Sequence, residues 1–159
     1  MLKLPSSHAT STIFYSRDPA FAVPVRGNED DTAWSKIVAE WDRRVEQARE
    51  TGIVSDLCVE GTTPTLFNVR PMPSTVFRKL VDKATGGEIG NTEASAIAFR
   101  ACVTGVINLD GVKVTMARHS EYGQIENGDL VQLLDQISPS IVSELGGLLI
   151  AKASSPGPK

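Results

Sequence analysis

Cysteine and histidine are scarce in this chain of 159 residues, with two of each: Cys58, Cys102, His8 and His119. The cysteines stand far apart in apolar surroundings, Leu57-Cys58-Val59 and Arg100-Ala101-Cys102-Val103. That excludes a disulfide-dense secreted scaffold, and the paired C-x-x-C spacing of a local zinc site is missing. Both read as buried, reduced thiols. A basic excess is also lacking, since 16 Lys and Arg face 19 Asp and Glu for a net charge of −3. A nucleic-acid footprint calls for cationic residues gathered on one face, so no direct nucleic-acid contact is expected. Long hydrophobic runs are absent too. The late run Leu148-Leu149-Ile150-Ala151 is far short of the roughly 20 residues that cross a bilayer. Pro5 interrupts the opening stretch before the apolar core of a secretory signal could form. No membrane contact and an intracellular site of synthesis are the expectations.

Motifs that announce chemistry are equally sparse. No H-E-x-x-H, G-x-S-x-G or EF-hand spacing occurs. Gly86-Gly87-Glu88-Ile89-Gly90 precedes a helical pattern, but it has neither the G-x-G-x-x-G spacing nor a following Lys-Ser/Thr pair that would cradle phosphate. A connector is the simpler reading. No catalytic residue, metal ligand or cofactor-binding residue is therefore expected, and no cofactor.

What is present is ordinary globular composition, 41% hydrophobic and 22% charged, over a length of about one domain. Residues 1–28 mix small, polar and apolar residues without a period, punctuated by Asp18-Pro19, Val23-Pro24 and Gly27-Asn28. They read as an extended arm whose Ile13, Phe14, Tyr15, Phe21, Val23 and Val25 need a surface to cover, as an edge strand or around a neighbour. Thr32–Thr51 is the clearest helix, with Asp30 or Asp31 as amino cap and Gly52 as stop. Trp34, Ile37, Val38, Trp41, Val45 and Ala48 fall on one stripe, and Glu40 and Arg44 at a supportive i,i+4 spacing on another face. Arg43-Arg44 has the chemistry of a phosphate contact, but its acidic neighbours Asp42 and Glu46 favour a solvated face.

Beyond Gly52 the pattern shifts to short strands at Leu57-Cys58-Val59 and Thr65–Arg70. In the second, Thr65, Phe67 and Val69 alternate with Leu66, Asn68 and Arg70. A helix restarts at Ser74, with Ser74 as cap, and carries Val76, Phe77, Leu80, Val81 and Ala84 inward. Asn91-Thr92 caps the most apolar helix, which runs to Val103 and is ended by Gly105. Asp110-Gly111, between alternating apolar residues, is the preferred type I′ turn of a hairpin. Residues 117–128 read as a loop, Asp129–Ile137 as a short helix, and Ser138-Pro139 as the start of a last helix with Ile141, Val142, Leu145, Leu148 and Leu149 inward. Gly146-Gly147 within it marks a close helix contact, a kink or an early stop. The expected fold class is α+β: four to five helices packed with a small antiparallel sheet containing a hairpin at about 106–114, plus the arm. The expected organisation is an arm over 1–28, one domain over 29–152 and a flexible tail over 153–159.

Four segments, taken in order, carry a resemblance. They are Thr65-Leu66-Phe67-Asn68-Val69-Arg70-Pro71-Met72, Arg100-Ala101-Cys102-Val103-Thr104-Gly105-Val106-Ile107-Asn108, the Asp110-Gly111 turn, and Ile141-Val142-Ser143-Glu144-Leu145-Gly146. The arrangement, over about residues 60–150, resembles tail-assembly-chaperone-like and minor virion proteins encoded in bacteriophage structural gene clusters. The resemblance implies a non-enzymatic virion structural or assembly protein. Its partners would be other virion or assembly proteins, with a homo-oligomer as a further option, in the host cytoplasm during assembly or in the virion. The candidate interaction residues are Phe14, Tyr15, Phe21, Trp34 and Trp41. Two alternatives stand beside it. One is a small hydrolase or transferase using His119, oriented by Glu121 with Cys102 or Ser120 as nucleophile. The other is a regulatory adaptor docking through the Trp34/Trp41 helix.

Overall fold

The computed structural model describes residues 11–107, 118–119, 125–126 and 136–154. The expected Asp110-Gly111 turn, nearly all of the 129–137 helix and the arm's first ten residues lie outside the described residues. By contact the chain groups into two compact units, one of Met1–Ile13 with Leu66–Lys159 and one of Phe14–Thr65. The chain is α+β, with four α-helices among the described residues.

The first unit is built on a three-stranded sheet ordered β1-β2-β3, with β1 at Ser11–Phe14, β2 at Leu66–Val69 and β3 at Val103–Ile107. β2 and β3 are antiparallel, pairing Leu66 with Ile107, Phe67 with Val106, Asn68 with Gly105 and Val69 with Val103. A bulge at Thr104 shifts the register, and its hydroxyl donates to the Asn68 carbonyl at 3.3 Å. The expected alternation of β2 is present, with Phe67 and Val69 buried and Leu66 and Asn68 half-buried. Helices α2 (Ser74–Thr85), α3 (Asn91–Cys102) and α4 (Pro139–Ser154) complete the unit, and α3 is its centre. Ala98, Phe99, Ala101 and Cys102 are fully buried there, and Phe99 meets Phe67 edge-on at 5.7 Å. Two residues, β4 (Arg118–His119), pair with two more, β5 (Ile125–Glu126), in a separate antiparallel ribbon.

Several expectations are corrected here. The helix expected to reach Val103 and stop at Gly105 ends at Cys102, and Val103 enters β3 with no loop between. The cause is tertiary, because the Arg70 backbone N–H takes the Cys102 carbonyl at 2.8 Å and the sheet captures the chain from there. Ser74 and Asn91 are first helical residues rather than side-chain caps, since Pro73 and Gly90 hold the cap positions. Val81 and Ala84 face solvent, because α2 buries only Val76 and Leu80. Gly146 resolves its three options: α4 runs through it to Ser154, and a Cβ there would run into the Ser95 carbonyl and Cα of α3. The glycine is a close helix contact.

In the second unit, α1 spans Asp31–Thr51. Asp30 caps it, its carboxylate accepting from the Ala33 N–H at 2.8 Å, and Gly52 closes it at φ 75° with its N–H on the Ala48 carbonyl. Arg26 leads in, bonding the Glu29 carbonyl and the Asp31 carboxylate. The expected strand at Leu57-Cys58-Val59 is instead a 3₁₀ turn, Ser55–Leu57, followed by one antiparallel bridge between Phe21 and Cys58. Only the flanking pairs, Ala22 to Leu57 and Val59 to Ala20, are hydrogen-bonded there, so no ladder extends the three apolar residues into a strand. The backbone over 15–30 has no helix and no strand, yet Phe14, Ala20 and Phe21 are buried. Asp18, itself buried, holds this turn by accepting from the Ala20 N–H at 2.8 Å and the Thr65 N–H at 2.9 Å. One buried and one half-buried backbone donor thus find a side-chain acceptor in the unit's interior.

Candidate protein-interaction surface

The five candidate residues divide into two groups. Phe14, Phe21 and Trp41 form a chain of rings, Phe14 meeting Phe21 edge-on at 5.4 Å and Phe21 meeting Trp41 at 6.5 Å. All three are under 8% exposed, so the chain's own atoms cover them. Two arginines lie over the outer rings, Arg49 over Phe14 at 5.6 Å and Arg44 over Trp41 at 5.8 Å. Tyr15 and Trp34 are half-buried. Trp34 and Trp41, seven residues apart, are separated by about 10 Å along α1, so the structure does not bring them together.

The single apolar stripe of α1 differs between its two halves. Trp41, Val45 and Ala48 are buried, whereas Trp34, Ile37 and Val38 are only half-covered. Beside the join, Ile37 and Trp41 form one side of an open groove of about 340 Å³, with Ala22 and Pro24 also in its lining and Lys36, Glu40 and Arg44 along it. Lys36, Glu40 and Arg44 recur at i, i+4 and i+8 and so share one face of the helix. The groove is a candidate feature that the sequence pattern does not show. The helical stripe was visible, but Ala22 and Pro24 stand beside it only because the Phe21–Cys58 bridge fixes the segment before α1.

Charge along the groove departs from the expected i,i+4 pair. Glu40 bonds Arg43 through both oxygens, at 2.7 and 2.9 Å, and this guanidinium holds its carboxyl below the usual carboxylate range. Arg44 instead donates to the Asp56 carbonyl at 2.5 Å and covers Trp41. An i,i+3 partner was within reach of Glu40, and the 3₁₀ turn offered Arg44 a carbonyl, so tertiary contact redirected the pair. Lys36 is exposed and has no ion-pair partner among the described residues. A smaller cleft of about 180 Å³ lies on the other side of Arg44, lined among others by Arg43, Gln47, Thr51, Ile53 and Asp56. Its guanidinium donors already serve Glu40, Gln47 and the Asp56 carbonyl.

No protein-family model, curated protein or solved structure matches this chain.

The residues of the hydrolase alternative are placed only in part. His119 lies in β4, its backbone paired with Ile125, while its side chain, Ser120 and Glu121 are outside the described residues. Cys102 is fully buried at the end of α3, and burial pushes its thiol up to about 11 despite the opposing pull of Arg70 and Lys152. It is a protonated, closed-off thiol at neutral pH. Cys58 is half-buried, its thiol also raised by burial and by the Asp18 charge, and it donates to the Val54 carbonyl.

Proposed function

We propose that this chain is a non-enzymatic bacteriophage virion structural or assembly protein that works through protein–protein contacts. The observation that carries the reading is the half-covered amino-terminal part of α1, Trp34, Ile37 and Val38, of which Ile37 lines an open groove. Large apolar side chains left part-covered next to a concave surface are what a partner's side chains bury on docking. The resemblance of residues 60–150 to phage structural proteins supplies the setting: other virion or assembly proteins as partners, in the host cytoplasm during assembly or in the virion; the charge balance and the short apolar runs are the grounds for proposing no direct contact to nucleic acid or membrane. A regulatory adaptor would use the same helix, and the half-covered Trp34 favours that second reading to the same degree. Gene order separates the two, because virion genes beside this one support the first and regulatory genes support the adaptor.

The test is analytical ultracentrifugation of the full chain, alone and with the products of its neighbouring genes, for the natural sequence and for Ile37→Asp. A complex or oligomer that weakens at least about tenfold in the variant supports contact through this surface. A chain that stays monomeric alone and with every neighbouring product overturns it.

A further inference from the structure

Resting on the protein-contact reading, we infer that the α1 groove takes an acidic amphipathic segment of a partner protein. One apolar side chain would sit against Ile37 and Pro24, with carboxylates over Lys36 and Arg44. The floor supplies the apolar half of this preference, since Ile37, Trp41 and Pro24 line it. The charges along the groove supply the other half. Of the three, the only anion, Glu40, is held in a two-point pair by Arg43, so its charge is already met within the helix. Neither of the two cations is in an ion-pair contact with a carboxylate among the described residues. Lys36 is exposed without an ion-pair partner among the described residues, and Arg44 is fixed in place by a neutral carbonyl and the face of Trp41. Lys36 and Arg44 are eight residues apart on one helix face, about 12 Å along the axis, and the anion between them is neutralised. A segment with an apolar residue flanked by Asp or Glu matches this order of charge, apolar floor and charge. A basic segment would place like charges against the two cations.

The probe is a display library of random twelve-residue peptides selected on the immobilised full chain, followed by fluorescence anisotropy of the tightest peptide. The expected result is peptides that pair Leu, Ile, Phe or Trp with Asp or Glu. Their binding should weaken about tenfold or more in Lys36→Glu and again on raising salt from about 50 to about 500 mM, and stay unchanged in the charge reversal Arg78→Glu, at a residue that is not part of the groove's lining. Lys36 is exposed, so its reversal leaves the fold intact, and the result does not depend on Ile37→Asp folding. Selected peptides that are neutral or basic, or that ignore Lys36→Glu, overturn the acidic-segment inference while the protein-contact reading stands. A concentration-dependent dimer of the chain that competes with the peptide and is lost in Lys36→Glu makes a second copy the occupant and also overturns it. Absence of binding by every peptide and every neighbouring gene product overturns both.

Discussion

Gly146 and Gly147 are neighbours in α4 with opposite surroundings. A methyl group at Gly146 would collide with the Ser95 backbone, whereas at Gly147 it would meet open space. Gly146→Ala is therefore expected to lower stability by roughly 1–3 kcal/mol, overpacking outweighing the gain in helix propensity. Gly147→Ala should raise it by about 0.5–1 kcal/mol through propensity alone. Urea denaturation of both variants, followed by circular dichroism, checks the pair. Cys102 carries a second residue-scale prediction. Its thiol ionises near 11 in the folded chain but near 9 once solvated. Between those values the unfolded chain has lost a proton that the folded one keeps, so stability is full below about pH 9 and falls as pH rises toward 11. The loss attributable to this group is about 2–3 kcal/mol. Cys102→Ala should remove that part of the alkaline slope, and an unchanged slope would show that other groups cause it.

At the scale of elements, Arg70 is the tie between β2 and the end of α3. Its backbone N–H reaches the Cys102 carbonyl and its Nε the Ala101 carbonyl, each at 2.8 Å. A cation at a helix C-terminus answers both the free carbonyls and the negative end of the helix dipole. Half-burial lowers its pKa, a direction that leaves an arginine charged. Arg70→Met keeps the stem and removes the donors, and is expected to cost about 1–3 kcal/mol, with Arg70→Lys intermediate. Equal stability of the Met variant would mean that the backbone bond alone ends α3. The same element pair shows where sequence patterns stop being informative. Phe67 and Val69 announced their buried face by alternation. Nothing in Arg100–Thr104 announces that the helix ends at Cys102, because apolar residues fit a buried helix and a buried strand equally.

At the scale of the whole molecule, both tryptophans lie in the Phe14–Thr65 unit. Tryptophan emission therefore reports on that unit. Removal of residues 1–28 would strip Phe14, Ala20 and Phe21, with Asp18 and its bonds to Ala20 and Thr65, from the interior. Such a truncated chain is expected to show red-shifted emission, because Trp41 loses the Phe21 ring that covers it. An unshifted spectrum would place these residues outside the tryptophan's surroundings. The full-length surface variants Lys36→Glu and Ile37→Asp are accordingly cleaner probes of partner contact than truncation.

Short-range physics in the sequence determined α1 with an aspartate at its amino cap and Gly52 as its stop, and the alternating face of β2. Each rests on residues within a few positions of one another, where periodicity, capping and φ preference act. Only the tertiary structure decided that Phe14 and Phe21 are interior, that Arg44 leaves Glu40 for the Asp56 carbonyl, that α3 passes directly into β3, that Gly146 is a close helix contact, and that Ile37 and Trp41 of the α1 stripe border a groove. These depend on partners 12 or more positions away in the chain, and no local pattern specifies which distant carbonyl or ring will fill a vacancy.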